Sequence, residues 1–439
     1  MTQSKAAEGN VQQSFIARPH NTRSGEAPLP SAKNTAIPRV QGTHTERHAR
    51  FRRKCAQKRK NFTETAALAD ERKYFEARIR HMKAYVEKHI QTCQGIRLED
   101  LRSRQITNAV KAQAKKHYDH MLASAMKPHS MSGIWMEDVS DNPEWLVIYA
   151  GQHIDDNGKL FKDGFDKEEM AYMVEQTQDH LSLLGIKCPP LGGDKRHADS
   201  AKYPFLDYDI LLTEDEDITK VYVNPLDQAD ATESIGLRHD IHCWHAQAHE
   251  ADNPVPSADL RGKTTAEGAR VARSYIMATE LQCKYLDMML KTFAPREYER
   301  LRRSADAGRW YTETEAACTL GLATVWKLQV GVHLDEDDWE LCMIVCGGNF
   351  YGGNLYLPDL NLCLTYNPGD IVIFRSTYLF HAISPWKPGP MLPGHTCTPG
   401  RISWVHFTHA DVQEKLEGKP PGFFLSGGWT GVGATSFIN

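Results

Sequence analysis

The chain has 439 residues, room for more than one domain at roughly 150 residues each. With 41% hydrophobic and 25% charged residues and a net charge of −4, it reads as an ordinary globular protein, and its overall charge excludes a uniformly basic nucleic-acid binder. No apolar run approaches the ~20 residues of a membrane helix, and no charged-then-apolar signal segment opens the sequence. Ten cysteines, none in a CxxC pair, suit a reducing, intracellular setting.

Residues 1–60 form the first expected region, a disordered tail rich in Ser, Thr, Gln, Asn, Pro and Gly. It carries a basic stretch at 47–60: Arg47, Arg50, Arg52, Arg53, Lys54, Lys58, Arg59 and Lys60, with no acid between them. That stretch reads as a solvated helix start, a nuclear-import signal, or a phosphate-contacting patch for DNA or RNA. Outside import, the chain is expected in the cytoplasm.

Residues 61–130 read as helical. Phe75, Ile79, Met82, Val86 and Ile90 recur at spacings of three and four, so they share one helix face, and Gly95 can end that helix. A second helical pattern, from Leu98 to Met121, uses Leu101, Ile106, Val110 and Tyr118. The pair is expected to pack as a hairpin on the region that follows.

Residues 131–439 read as the catalytic unit. Strands are expected at 143–150 and 217–224, with a helix at 167–184 carrying Met170, Met173 and Leu181. A long helix is expected over 265–292. Thr264 and Glu267 have capping-box spacing at its start, and Pro295 lies beyond its end. Apolar runs at 324–334, 341–346, 354–357, 371–374, 378–383 and 402–407, separated by Gly-Gly, Pro-Asp and Pro-Gly turns, predict a compact antiparallel sandwich or barrel.

Within this region lies WKLQVGVHLDEDDW, with His333 and Asp335 two residues apart. On a strand that spacing places an imidazole and a carboxylate on one face. His381 ends a later apolar run, and two histidines with one carboxylate form a ligand set for non-haem Fe(II) with open positions. Farther on, Arg401 and Ser403 share a strand face. A guanidinium fork binds a carboxylate through paired charge-assisted hydrogen bonds, to which a hydroxyl adds another.

His333, Asp335, His381, Arg401 and Ser403 together resemble the HxD…H…RxS signature of Fe(II)- and 2-oxoglutarate-dependent dioxygenases, over roughly residues 310–410. The resemblance implies an α+β protein with a double-stranded β-helix (jelly-roll) core buttressed by helices. It implies iron on His333, Asp335 and His381, and Arg401 with Ser403 on the distal carboxylate of 2-oxoglutarate, with O2 as co-substrate and succinate and carbon dioxide as products. One departure from the family pattern is the longer separation of His381 from Arg401, filled by a Pro- and Gly-rich segment read as an inserted loop at 385–400. Arg375 is the rival clamp, but it precedes His381. The GG-x-L-x-x-P-D hairpin, the PGD turn and His-x-x-x-x-Trp are similar to the fungal TET/JBP-like branch, which implies DNA modification: oxidation of methylated pyrimidine bases. The alternatives are an oxygenase of a small molecule or protein side chain, and a non-catalytic jelly-roll binding protein.

Other features have competing readings. His239, His242, His245 and His249 are either a metal or phosphate site on a helix or a polar helix face. Cys342 and Cys346 are core residues or a structural zinc pair. Glu336, Asp337 and Asp338 are alternative ligands or solvated loop residues. Gly347-Gly348 and Gly352-Gly353 read as hairpin turns. No sequence signature specifies an oligomeric state.

Overall fold

A computed structural model describes residues 73–151, 174–190, 236–245, 253–310, 317–389 and 399–429, apart from scattered positions within the first two ranges and 263–264. The tail with its basic stretch, the strand expected at 217–224, Met170, Met173 and His249 lie outside the described residues. The architecture is mixed α+β around a large sheet. No helix among the described residues is long and apolar enough to cross a membrane.

The strands are β1 (Ile90–Thr92), β2 (Gly133–Met136), β3 (Trp145–Ala150), β4 (Gly236–Ile241), β5 (Gly321–Trp326), β6 (Cys342–Gly352), β7 (Leu355–Leu357), β8 (Leu362–Leu364), β9 (Ile371–Phe374), β10 (Ala382–Ile383), β11 (Trp386–Pro388) and β12 (Gly400–Phe407). The helices are α1 (Leu98–Ser103), α2 (Asn108–Ala123), α3 (Ala266–Ala278), α4 (Glu280–Phe293), α5 (Pro295–Gly308) and α6 (Ala410–Leu416). A nine-stranded sheet runs β1-β2-β3-β9-β6-β12-β5-β4, with β11 pairing the end of β6, and a three-stranded sheet runs β10-β7-β8.

Strand alternation sorts side chains between the two faces of the large sheet. Met343, Val345, Ile371, Ile373, Ile402 and Trp404 join the core formed with α3, α4 and α5. Their neighbours Cys342, Ile344, Cys346, Val372 and Phe374 face the other way, into a core shared with Leu355, Leu357, Leu362 and Leu364 of the small sheet. Trp404 ties the helical layer to the sheet. Its indole N–H donates to the Tyr275 hydroxyl at 2.8 Å, and that hydroxyl lies 2.7 Å from Thr324 Oγ1. Truncating such a buried tryptophan to alanine costs about 3–5 kcal/mol.

Several expected elements are redrawn. The 265–292 helix is two helices, broken at Thr279, whose hydroxyl donates to Ile276 O at 2.7 Å. The N-cap is Thr265, accepting from Gly268 N at 3.0 Å, and not Thr264. Pro295 opens α5, where a missing N–H costs nothing. Ile90 belongs to β1, which pairs in parallel with β2, because this pairing gives its backbone partners that another helical turn cannot. Gly95, at φ 72, closes the turn between β1 and α1. Gly347 and Gly348 form no turn but lie inside β6 opposite Ile402 and Arg401. At Gly348, φ 93, an added Cβ would stand 2.0 Å from Gly400 O.

Candidate metal centre

The run 324–334 does not continue as one strand. β5 ends at Trp326, and Lys327 takes the left-handed conformation at φ 56, which breaks the pleat and sends the chain out of the large sheet. His333 is held instead by a one-residue antiparallel bridge to His381. Each backbone N–H donates to the other's carbonyl at 3.0 Å. Asp335 N donates to Ser376 O at 3.2 Å. Two short extended segments therefore run side by side, one carrying His333 and Asp335, the other ending at His381, immediately before β10.

This pairing brings the three side chains together. His333 Nδ1 lies 2.8 Å from Gly331 O and His381 Nδ1 lies 3.1 Å from Leu379 O. A carbonyl only accepts, so both Nδ1 atoms carry the proton and both Nε2 atoms present lone pairs. His333 Nε2 stands 3.6 Å from one Asp335 oxygen and His381 Nε2 stands 3.5 Å from the other. One ligand atom from each residue falls within 4.8 Å of the others. This is the only such cluster of His, Cys, Asp and Glu among the described residues. The imidazole centroids are 4.1 Å apart, and Phe374 meets His381 edge-to-face at 4.8 Å.

Arg401 and Ser403 share a face of β12 with Val405 and Phe407, the face away from α3 and α4. Arg401 is 1% exposed. Its Nε and Nη2 have no hydrogen-bond partner among the described residues, and its guanidinium lies 4.9 Å above the Tyr366 ring. The Tyr366 hydroxyl is 3.1 Å from Ser403 Oγ. A buried, permanently charged fork with open donors is costly unless an anion completes it. A carboxylate fits this cradle, just as a divalent metal fits the two imidazoles and carboxylate. Tyr366 has no separate sequence signal beyond its place before the Asn-Pro-Gly-Asp turn.

β6 carries a cysteine beside each end of the site. Burial, reinforced by the Asp335 charge, pushes the Cys342 thiol well up. Burial pushes Cys346 up to about 12 against the pull of Arg401. These residues lie on one strand face, about 13 Å apart along it. The triad and the guanidinium thus lie along the same side of the large sheet. Both cysteines are buried core residues, and neither joins a metal-ligand cluster among the described residues.

The rival groups are engaged elsewhere. Arg375 donates to Glu340 at 2.8 Å, to Glu297 at 2.7 Å and to Trp145 O at 3.3 Å, and it stacks on the Trp145 ring at 4.0 Å. Glu336 pairs with Lys111, Asp337 is exposed to solvent, and the Asp338 carboxylate lies 3.7 Å from His409 Nδ1. The described part of the expected histidine helix, up to His245, is not helical: β4 carries His239, and Trp244 bridges Val255. His242 Nδ1 accepts from Trp310 N at 3.0 Å, and burial pushes it down to about 3. His245 joins Asp411 and Lys415 of α6. Within the expected 385–400 insertion, Trp386–Pro388 forms β11 against β6, and 390–398 lie outside the described residues.

No protein-family model matches the chain, and no curated protein matches it. Among solved structures, NgTET1 in complex with 5mC DNA aligns at 12% identity, covering 72% of this chain and 94% of that one, with a TM-score of 0.35. OsALKBH1 aligns at 16% identity over 39% of this chain and 77% of that one, with a TM-score of 0.23. An oxidoreductase of the 2OG-Fe(II) oxygenase family from Burkholderia pseudomallei aligns at 12% identity over 46% and 74%, with a TM-score of 0.22.

Proposed function

We propose that this chain is an Fe(II)- and 2-oxoglutarate-dependent dioxygenase on a double-stranded β-helix, oxidising a C–H bond of a methylated base in DNA or RNA. The observation that carries the reaction class is the His333–Asp335–His381 cluster on the same side of the sheet as Arg401, a buried guanidinium with open donors. In this reading residues 131–439 are the catalytic domain, centred on 310–410, and 61–130 buttress it. His333, Asp335 and His381 hold the metal. Arg401 and Ser403 hold the distal carboxylate, and Tyr366 orients the Ser403 hydroxyl.

Bound together, Fe(II) and 2-oxoglutarate reduce O2 and supply the oxidant for the substrate C–H bond, leaving succinate and carbon dioxide. The chain's own work is positional. The Nδ1–H bonds to Gly331 O and Leu379 O fix both imidazole tautomers and aim each Nε2. Phe374, packed on His381, keeps that wall apolar. The TET/JBP-like motifs around residues 352–386 support that branch more than its substrate, and the 47–60 basic stretch suits phosphate contacts and an import signal. A base in a duplex must be flipped out to reach such a site.

The test is mass spectrometry of methylated and unmethylated DNA and RNA after incubation with the full chain, Fe(II) and 2-oxoglutarate, with succinate measured alongside. The expected result is succinate together with an oxidised methylated base, both lost in His333→Ala and Asp335→Ala. Nucleic-acid binding is expected to weaken with salt and on neutralising 47–60. Absence of succinate under every condition overturns the reaction class. Succinate with no altered base moves the substrate to a small molecule or protein side chain.

A further inference from the structure

We infer that Asp359 and Arg104 are positioning residues for His381, a role that rests on the metal-site reading above. Asp359 sits in a short 3-10 turn, Pro358–Leu360, directly after β7. Its Oδ2 accepts from Phe380 N at 2.7 Å, the residue immediately before His381. Arg104, in the link between α1 and α2, grips the same segment three ways. It forks onto both Asp359 oxygens, donates to Tyr378 O at 2.6 Å, and lies 5.0 Å over the Phe380 ring. The peptide groups on either side of Leu379, whose carbonyl faces His381 Nδ1, are therefore fixed by one charged pair.

The rest of the surround adds to this grip. Ala114 of α2 packs with Leu334 and Phe380, and Tyr118 and Met121 pack with Tyr356 and Ala382. One helix thus presses on the segments carrying both histidines, and Tyr118 Oη donates to Ile383 O at 3.1 Å. A two-residue strand such as β10 has little ladder of its own to hold His381 in place. The bidentate pair is a rigid substitute: a guanidinium–carboxylate fork fixes distance and plane together. This gives residues 98–123 a function beyond covering the core.

Metal binding to the full chain tests the role without requiring turnover. Co(II) is titrated into wild type, Asp359→Ala, Asp359→Asn, Arg104→Lys and His333→Ala. Affinity and the visible ligand-field bands are recorded, with circular dichroism and melting of the metal-free proteins alongside. Loss of an outer partner of a metal ligand typically weakens metal binding about 10–100-fold. Asp359→Ala is expected to show that loss together with shifted bands, at wild-type secondary structure. Asp359→Asn, which keeps an oxygen to accept from Phe380 N but loses the fork to Arg104, is expected to recover part of the affinity. A folded Asp359→Ala with wild-type affinity and bands overturns the inference. If that variant does not fold, Arg104→Lys is read instead: several-fold weaker binding supports the role and unchanged binding overturns it. Wild type that binds no Co(II), or binding that survives His333→Ala, overturns the metal reading itself.

Discussion

Arg401 and Gly353 show how far single residues set the site. Gly353 has φ 72, and an added Cβ would stand 2.9 Å from the Phe350 ring and 3.1 Å from Arg401 Cδ. An alanine in this left-handed conformation costs about 1–2 kcal/mol and must also displace the Arg401 stem. Gly353→Ala is expected to lower stability by that amount in urea unfolding and to weaken 2-oxoglutarate binding several-fold by calorimetry. Unchanged 2-oxoglutarate affinity would count against Arg401 as its anchor. The candidate ligands were legible in the sequence because residue type and order carry their chemistry. Arg375 could be set aside only by chain order, and the structure adds the physical reason: three carboxylates already surround it. Tyr366 was not legible, since it lies in the loop between β8 and β9 and its hydroxyl meets Ser403, 37 residues on, only once the chain is folded.

At the scale of elements, β3 and β9 follow the apolar runs that forecast them, because these strands are buried on both faces and read as continuous hydrophobic stretches; β12 is as buried but carries Arg401 and Ser403 among its apolar residues. The break at Thr279 was hidden because the helical period runs on from α3 into α4. β1 was hidden because its partner β2 is remote in sequence, and only that pairing makes Ile90–Thr92 a strand. The strand expected to carry His333 failed for a local reason, the left-handed Lys327. The site survives this because two short segments paired to each other do what one strand was expected to do. α2 supports both, and its N-cap Thr107 accepts from Val110 N at 3.3 Å. Thr107→Ala is expected to cost about 1 kcal/mol in chemical denaturation, and Thr107→Ser to restore most of it. Equal stability of all three proteins would show that the cap contributes nothing.

For the whole molecule, sandwiching the large sheet between helices and the small sheet also buries titratable groups outside the site. Burial pushes His406 and His242 down to about 3, below the ordinary imidazole range. Below about pH 6.5 the unfolded chain takes up protons on these rings that the folded chain does not. Their stabilising contribution is therefore complete above that pH and is lost as pH falls toward 3. His406→Gln removes one such group. The stability of wild type relative to this variant is expected to fall by about 1.4 kcal/mol per pH unit below 6.5. Asp287, which burial raises to about 6, acts in the opposite direction but is common to both proteins. A pH-independent difference in urea unfolding would contradict the assignment. Sheet order, with β6 between β9 and β12, was not readable from local pattern, yet it sets the triad and Arg401 along one side of the same sheet. In the proposed function this side binds Fe(II) and 2-oxoglutarate together. Its most direct test is an anaerobic calorimetric titration of Fe(II), then 2-oxoglutarate, into wild type, His333→Ala, Asp335→Ala, His381→Ala and Arg401→Ala. A single Fe(II) is expected per wild-type chain, lost in each triad variant. 2-Oxoglutarate binding is expected to need the metal and to weaken about 10-fold or more in Arg401→Ala. Fe(II) binding indifferent to the triad, or 2-oxoglutarate binding indifferent to Arg401, would contradict the proposed function.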